Sequence, residues 1–288
     1  VAHYYDDQTD NYVQKNWQLL VNHTFSPAWN LNVGLHYTKG DGYYQEYKDG
    51  RTLVEYALQP FMQDGALVDE SDLVRKKAMD NHFGGGIFSI NYKNDRINTT
   101  LGGAYNRYNG DHFGNVLWVK NYIGDLNANH ESYRNKGTKN DGNIFIKADY
   151  LLAKGVNVYV DLQYRHIDYK IKGFNDKWNS VSNDGLQRLD VNEHFDFFNP
   201  KAGLSWQIDN HNRVFGSFSM AHKEPTRNNY TDGKLNEHPK AERLIDYELG
   251  YTFTKKIFNI GANLYFMDYK DQLVLTGELN EIGEPLSA

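Results

Sequence analysis

Residues 157–169 read "NVYVDLQYRHIDY", and their strict alternation decides the fold class. Together with the valine before them, they place apolar side chains at every second position: Val156, Val158, Val160, Leu162 and Tyr164. The positions between them form a second, mostly polar face: Asn157, Tyr159, Asp161, Gln163 and Arg165. A period of two is typical of a β-strand with one apolar face. The same alternation returns in "IDYELGYTF" (245–253) and "FNIGANLYF" (258–266).

Ten segments of this kind follow one another along the chain. They lie at roughly 14–25, 30–39, 82–93, 96–108, 142–152, 155–170, 195–208, 212–223, 243–254 and 257–270. Strands of globular proteins typically have about 5–6 residues, whereas a tilted strand needs about 9–11 residues to cross a bilayer. The lengths therefore favour a membrane barrel over a soluble sandwich.

The connections between the segments alternate in length. Short turns join the segments in pairs: "SPAW", "KND", "AK", "DNH" and "KK". The connections between the pairs are long, at 40–81, 109–141, 171–194 and 224–242. Short turns on one side and long loops on the other are typical of outer-membrane barrels. The sequence therefore predicts an all-β, antiparallel, up-and-down transmembrane β-barrel, with the turns 26–29, 93–95, 153–154, 209–211 and 254–256 at one rim.

Charge supports the assignment of faces. The apolar faces carry no Asp, Glu, Lys or Arg, whereas the opposite faces carry residues such as Lys147, Asp149, Lys201 and Arg213. A Lys or Arg that faces lipid at mid-bilayer costs about 2–4 kcal/mol. The apolar side chains predicted to face lipid include Val158, Val160, Leu162, Leu249, Ile260 and Leu264. The polar side chains predicted to face the lumen include Asp161, Gln163, Glu248 and Asn263. Aromatic residues at strand ends predict interfacial girdles.

Composition and motifs exclude several classes of function. The net charge of −6 provides no basic footprint for nucleic acid. No apolar stretch is long enough for a membrane-spanning helix, and the absence of Cys excludes disulfides and thiolate ligands. The sequence shows no nucleophile elbow, no phosphate-binding loop and no zinc-type pair of histidines. We therefore expect no enzyme, no catalytic residues, no metal site and no cofactor.

Four runs near the end of the chain carry a resemblance to a known family. They are "FFNPKAGLSWQ" (197–207), "GSFSMAHKEPTRNNYTDG" (216–233), "ERLIDYELGY" (242–251) and "NLYFMDYKDQLVLTGELNEIGEP" (263–285). In this order and spacing they resemble the barrel of TonB-dependent outer-membrane receptors of the iron-complex type, as found in Bacteroidetes-like bacteria. The resemblance covers nearly the whole chain.

The resemblance implies a plug domain inside a barrel of 22 strands, of which residues 1–288 supply about ten from the middle. The plug and the C-terminal strands are then absent from these residues, and the polar segment 271–285 is a hairpin left unfinished. We accordingly expect that the ten strands do not close on themselves and that 14–25 and 257–270 are free edges.

The resemblance also implies a cellular location and a function. The location is the cell outer membrane of a Gram-negative bacterium, among lipid and lipopolysaccharide. The function is active uptake of a scarce solute, in the first place an iron–siderophore complex, with the TonB complex acting through the plug. Four alternatives stay open: uptake of haem, cobalamin or glycan by the same fold, a passive porin, a soluble carbohydrate-binding β protein and an outer-membrane enzyme.

Candidate ligand-binding residues come from the long connections, because binding residues concentrate on loops held by a rigid scaffold. Aromatic rings beside Arg and Lys suit an anionic, ring-bearing ligand. The candidates are Tyr43, Tyr44, Arg75, His112, Trp118, Tyr122, Arg134, Lys223 and Arg227. We further expect "DLVRKKAMD" (72–80) to form a short helix, a basic patch or the base of a loop. Asn199-Pro200 is expected to open a strand, and "GGG" (84–86) to lie inside one.

Overall fold

The computed structural model describes residues 6–127, 129–179, 185–231, 238–279 and 285–287. Its strands, in chain order, are β1 (Thr9–Ser26), β2 (Trp29–Thr52), β3 (Phe61–Gln63), β4 (Ala66–Val68), β5 (Glu70–Lys93), β6 (Ile97–Val119), β7 (His130–Ala153), β8 (Val156–Trp178), β9 (Leu186–Gln207), β10 (Asn212–Lys223), β11 (Glu242–Lys255), β12 (Phe258–Lys270), β13 (Leu275–Leu279) and β14 (Pro285–Ser287). A 3-10 turn (Leu53–Tyr56) and one short helix, α1 (Arg227–Thr231), complete the list. No helix in the described residues has the length and apolar character needed to cross a membrane.

Ten of the strands form one antiparallel sheet in the order β1-β2-β5-β6-β7-β8-β9-β10-β11-β12. Each long strand pairs with its neighbours in the chain, which is the predicted up-and-down topology. Within the described residues no ladder joins β1 to β12, so both are edge strands, as predicted. Residues 275–279 pair with 285–287 in a separate small sheet, which corrects the expectation of a purely polar loop there. Residues 280–284 of that predicted loop lie outside the described residues.

The short turns lie together at one rim, as the alternation of connection lengths predicts. Each of the first four turns is hydrogen-bonded to a strand of the next pair. The Lys93 amide donates to the Ala28 carbonyl at 2.9 Å, and the Gln207 amide donates to Gly155 at 2.7 Å. The Thr254 amide likewise donates to the His211 carbonyl at 2.8 Å. The four longer connections consequently emerge at the opposite rim.

The central strands are much longer than predicted. Strands β2, β5 and β7 have 24 residues each. The long connections shrink to 53–69, 120–129, 179–185 and 224–241. Residues 72–80 therefore form neither a short helix nor the base of a loop, because this segment belongs to β5, and the basic patch stays a prediction. Asn199-Pro200 lies within β9 rather than at its start, just beyond the point where pairing with β10 ends, at Lys201. Proline is tolerated there because no ladder donor is needed on that side.

The ladder fixes which residues share a face, because directly paired residues point to the same side of a sheet. On one face Val158 pairs with Leu204, and Leu204 pairs with Gly216. Gly216 pairs with Leu249, and Leu249 pairs with Leu264. On the other face a matching chain of pairs joins the neighbours of these residues: Tyr159, Gly203, Ser217 and Glu248.

Ion pairs identify which face is the inner one. Lys77 of β5 pairs with Asp176 of β8 across two intervening strands, and Glu224 reaches back to Arg165 of β8. Such contacts require the sheet to curve toward the face of Lys77 and Arg165. Asp161 and Gln163 alternate with Val160 and Leu162 and so share the face of Arg165. The predicted sidedness is thereby confirmed, with the leucines outside and the carboxylates inside.

Three tyrosines mark a boundary on the outer face. The hydroxyl of Tyr37 lies 2.7 Å from His82 Nδ1, and Tyr105 donates to Asn140 at 3.2 Å. Tyr164 donates to Asp196. We call the part of the wall between the short turns and these tyrosines the belt, and the part beyond them the collar. In the belt the outer side chains are apolar, whereas in the collar they are mostly charged or polar.

The glycine run 84–86 lies inside β5, as predicted, and makes room for this girdle. Tyr37 is paired with Gly84, and Tyr105 is paired with Gly86. A Cβ atom on Gly84 would lie 3.2 Å from the ring of Tyr37. The missing side chains therefore let large rings lie across the neighbouring strand, an arrangement that shields an exposed glycine backbone.

Candidate ligand-binding site on the inner face of the collar

The connection after β2 folds onto the inner face of the collar. Its 3-10 turn buries Leu53 completely, and Leu58 retains only 2% exposure. Both residues belong to an apolar cluster with Leu73 of β5 and Val116 of β6. The Tyr56 carbonyl lies 3.1 Å from His130 Nε2, which ties the turn to the start of β7. Apolar burial thus fixes this connection against the wall.

The connection after β10 folds inward as well and carries α1. Tyr230 of α1 is 6% exposed and packs its ring 5.8 Å from that of Tyr169. The cluster around it comes from the inner faces of β8 and β9: Ile167, Tyr169, Ile171, Leu189, Val191 and Phe197. The inner face is therefore apolar in this part of the collar, although the same strands are polar on that face in the belt.

A network of ion pairs holds the start of this connection. Arg165 contacts Asp141 Oδ2 at 2.6 Å and Glu224 Oε1 at 2.9 Å. Lys139 contacts the same Glu224 oxygen. Burial raises the pKa of Glu224, but the hydrogen bond from Lys139 and the positive charges of Lys139 and Arg165 outweigh it and leave the pKa lowered. Glu224 is therefore an ionised anchor for the connection.

A second set of ion pairs lies near a small cavity that Lys77 helps to line. Arg75 contacts Glu46 at 2.8 Å and donates to the Tyr56 hydroxyl at 3.2 Å. Lys77 pairs with Asp176. Burial alone would lower the pKa of Lys77, but the charge of Asp176 raises it overall. These cations are thus compensated by carboxylates of the same chain.

The cavity has a volume of about 200 Å³ and is rich in aromatic rings. Its walls include Tyr12, Tyr43, Tyr44, Lys77, Met79, His112 and Tyr133. Burial, together with the charge of Arg227, lowers the pKa of His112 to about 4, so the imidazole is neutral at physiological pH. Burial also raises the pKa of Tyr133, which keeps its phenol protonated. The cavity therefore combines neutral hydrogen-bonding groups and ring faces with the Lys77 ammonium and the Asp10 carboxylate.

Arg227 lies close enough to this cavity for its charge to act on His112. Its Nη2 atom donates to Asn135 Oδ1 at 2.5 Å, and its charge acts on Tyr108 and Tyr169. Its Nη1 atom lies 3.6 Å from the place where a Cβ of Gly137 would be. Within the described part of the chain it forms no ion pair with a carboxylate.

The structure brings four of the predicted ligand-binding residues together on the inner face: Tyr44, Arg75, His112 and Arg227. Tyr44, Arg75 and His112 belong to strands, not loops, because the strands extend beyond the predicted ends. Tyr43 lines the edge of the cavity, and the ammonium of Lys76 lies over its ring, 4.0 Å from the ring centroid.

The remaining four candidates lie elsewhere. Trp118 is 45% exposed near the end of β6, with its ring 6.4 Å from that of Tyr47. Arg134 lies on β7, forms an ion pair with Glu131 at 2.7 Å and covers the ring of Phe113. Tyr122 packs edge-on against Phe61 under the first connection. Lys223 ends β10 and is exposed.

Several residues of the site escaped the sequence analysis: Lys77, Tyr108, Tyr133, Asn135, Lys139, Tyr169 and Asp176. Tyr108 and Tyr169 lie at the ends of the predicted strands 96–108 and 155–170, and the others lie on strand extensions that were assigned to loops. All except Asp176, which follows the irregular pairing after Phe174, can be found by following the alternation of inner and outer positions along the whole strand. Among the described residues no group of three or more His, Asp or Glu is placed to hold a metal ion.

Comparison with solved structures shows a shared fold. The chain matches the open form of the ferric-catecholate import receptor Fiu from E. coli K12 with a TM-score of 0.59 at 8% identity. The match covers 92% of this chain and 42% of that chain. The siderophore receptor PiuA from Acinetobacter baumannii matches with a TM-score of 0.58 at 11% identity, over 90% of this chain and 40% of that one.

A third solved structure belongs to a copper transporter. The copper transporter OprC matches with a TM-score of 0.64 at 11% identity, over 96% of this chain and 41% of that chain. The chain thus spans well under half the length of these proteins. A search of curated proteins finds no match.

The family model described as "TonB dependent receptor-like, beta-barrel" matches residues 1–285, nearly the whole chain. The match agrees with the ten-stranded antiparallel wall and with its apolar outer belt. The chain belongs to the TonB-dependent receptor-like β-barrel family, a family of the Gram-negative outer membrane.

Proposed function

We propose that this chain forms part of the wall and part of the capture surface of an outer-membrane transporter for an iron–siderophore or similar iron complex. The observation that carries the proposal is the inner face of the collar. There, aromatic rings, the Lys77 ammonium and a neutral imidazole line a cavity of about 200 Å³, and the charge of the nearby Arg227 guanidinium acts on that imidazole. Rings and a guanidinium together suit an anionic ligand that carries rings of its own.

The structural similarity to the ferric-catecholate receptor Fiu and the siderophore receptor PiuA supports this substrate class, but identities of 8% and 11% establish only the fold. The reaction is binding and translocation without covalent chemistry, so no catalytic residue and no cofactor is assigned. The partners are the TonB complex, acting through a plug domain, and the iron complex itself. That residues 1–288 are middle strands of a 22-stranded barrel, with plug and C-terminal strands elsewhere, stays a prediction.

The outer face of the collar is proposed to lie among lipopolysaccharide. It continues the lipid-facing belt and carries exposed cations, among them Lys136, Lys170 and Lys172. Lys136 and Lys172 lie directly opposite each other in the ladder. Lys172 also contacts Asp190 at 3.7 Å, and anionic groups at the membrane surface would further relieve the repulsion between the two ammonium groups. The predicted Arg134 belongs to this outer set rather than to the capture surface.

The test is uptake by a strain that lacks the full-length protein. Growth and accumulation of labelled solute are compared for ferric siderophores, ferric citrate, haem, cobalamin, oligosaccharides and cupric ion. We expect loss of uptake of one class of ferric complex, with dependence on TonB and on the proton-motive force. Uptake that persists after both are removed would indicate a passive porin. Loss confined to haem, cobalamin, a glycan or copper would replace the proposed cargo.

A further inference from the structure

Arg227 is held on the inner face from both sides along the chain. Three residues before it, Glu224 is tied to Lys139 and Arg165. Three residues after it, Tyr230 is buried in the apolar cluster of β8 and β9. The backbone between these two anchors cannot move far without breaking one of them. The guanidinium is therefore presented at a defined place, a condition for precise recognition.

The wall beneath Arg227 is free of side chains. Gly110 and Gly137 face each other directly in the ladder between β6 and β7, and both are buried. A Cβ on Gly137 would approach Arg227 Nη1 to 3.6 Å, and one on Gly110 would collide with the Tyr108 hydroxyl. The glycine pair thus gives the guanidinium and the Tyr108 ring space to lie flat against the backbone.

The surroundings of Arg227 differ in charge from those of the other inner cations. Arg75, Lys77 and Arg165 each contact a carboxylate. Around Arg227 the polar neighbours are Asn135, Tyr108 and Tyr169, and it makes no ion pair within the described residues. A half-buried charge without a partner is costly. The cost is removed when an anion binds.

A guanidinium has five N–H donors in a planar fork. Asn135 takes a donor on Nη2 and Tyr169 lies within reach of another, which leaves donors for a second partner. Paired oxygens of a carboxylate or a catecholate match such a fork with two parallel hydrogen bonds. Tyr108 and Tyr169 offer ring faces beside it, which suits a ligand whose oxygens are attached to a ring.

We propose that Arg227 is the anion-recognition residue of the capture surface, and that the cargo is a negatively charged complex rather than a neutral one. The inference rests on the proposed function and narrows its substrate class. Asn135 orients the guanidinium, and Tyr108 and Tyr169 contact the ligand beside it. The remaining inner cations are not needed for the charge preference, because their charges are already compensated.

The test compares two ferric complexes that differ in charge. A hexadentate tricatecholate gives a triply negative ferric complex, and a hexadentate trihydroxamate of similar size gives a neutral one. Binding of both to the purified full-length receptor is measured by titration calorimetry for the wild type, Arg227→Gln and Arg227→Lys. The control variant is Lys223→Gln, which removes an equal charge four residues away at an exposed position.

We expect the wild type to prefer the tricatecholate complex, and Arg227→Gln to weaken its binding by about tenfold or more, as for a lost charge-assisted hydrogen bond. Arg227→Lys should restore part of the loss, and Lys223→Gln should bind like the wild type. Amide exchange around Tyr230 reports whether the connection stays folded. If Arg227→Gln weakened the binding of both complexes equally, Arg227 would have only a structural role, and the proposal would be overturned.

Two further results would also overturn it: no preference in the wild type, or no binding of the tricatecholate complex. Neither decides the proposed function, which depends on uptake by the deletion strain. A strain that loses uptake of the neutral ferric complex alone would retain the transporter and refute the anionic cargo.

Discussion

The belt and the collar are built from the same strands but reverse their polarity. In the belt part of β8 the outer residues are apolar up to Tyr164, and the inner ones include Asp161. From His166 onward the outer residues are charged, while the inner Ile167 and Ile171 are completely buried. The register does not slip at the change, because Tyr164 still pairs with Phe198 and His166 with Asp196.

The difference between belt and collar shows that the surroundings of each face, and not the geometry of the strands, determine whether its side chains are polar or apolar. Outside the belt lies lipid, so the outer residues are apolar. The outer residues of the collar lie beyond the apolar belt and are mostly polar, and on its inner side two connections cover the wall and exclude water. The regularity of the hydrogen-bond ladder also differs between the belt and the collar. Bulges interrupt the collar at Lys48/Arg51, Val74/Arg75 and Gly114/Asn115. In the belt the described register shifts occur only beside the turns.

The largest expected effect breaks the inner core of the collar. Ile171→Ala removes a fully buried side chain and should lower the free energy of unfolding by about 2–5 kcal/mol. Lys172→Ala, the neighbouring outer residue, is the control and should change it by less than about 0.5 kcal/mol. Urea unfolding in vesicles measures both. Equal effects would show that the two faces of the collar are not distinguished.

A slightly smaller effect is expected from charge in the belt. Val160→Arg places a guanidinium on the outer face among lipid and should cost about 2–4 kcal/mol. His194→Arg is the matched control, because it puts the same side chain on the outer face of the collar beside Asp168. We expect the control to assemble into the outer membrane normally. Poor assembly of both variants would contradict a boundary at the tyrosine girdle.

This polarity reversal explains what the sequence could predict and what it could not. Alternation in the belt is strong enough to place all ten strands, their pairing and their faces. The predicted strands stop at about Lys39, His82 and Lys170, close to where the polarity changes sides. A search for one apolar face therefore took the collar halves for loops, although period two continues there with opposite phase.

The candidate site shows the same limit. Composition suggested aromatic and cationic residues on the outer rim, and it found Tyr44, Arg75, His112 and Arg227. Composition could not distinguish these four residues from Arg134 or Trp118. Whether each of them faces inward or outward depends on its odd or even position in a strand that the sequence did not reveal. Long-range contacts such as that between Lys77 and Asp176 depend on the curvature of the sheet, which no local pattern contains.

A moderate effect is expected from releasing the connection after β10. Glu224→Gln weakens its contacts with Lys139 and Arg165 and should raise amide exchange in residues 224–231, with a loss of about 1–2 kcal/mol in local stability. Glu46→Gln is the control, because it breaks a comparable pair with Arg75 that does not hold this connection. Exchange that rises equally in both variants would contradict a local anchor.

The same anchor predicts a pH dependence. The pKa of Glu224 is lowered in the folded protein, so its contribution is complete above the unfolded value of about 4.5 and is lost as the pH falls through the lowered one. Exchange in residues 224–231 should therefore increase below about pH 4.5. In Glu224→Gln this extra increase should be absent. An identical acid response in variant and wild type would assign it to other carboxylates.

The smallest effect concerns the boundary itself. Tyr105→Phe removes the hydroxyl that donates to Asn140 at 3.2 Å and keeps the ring, which lies 3.5 Å from the place where a Cβ of Gly142 would be. A neutral hydrogen bond contributes about 0.5–1.5 kcal/mol, and Asn140 can bind water instead, so we expect about 0.5 kcal/mol. Tyr105→Ala removes the ring as well and uncovers Gly142, which should cost clearly more. Urea unfolding of both variants in vesicles separates the two contributions.

If the ring of Tyr105 determines where the boundary lies, Tyr105→Phe should leave the depth of the barrel in the bilayer unchanged. This depth is measured by the quenching of nearby tryptophans by spin-labelled lipids. A shift in depth for Tyr105→Phe, equal to that of Tyr105→Ala, would instead show that the hydroxyl sets the line between belt and collar.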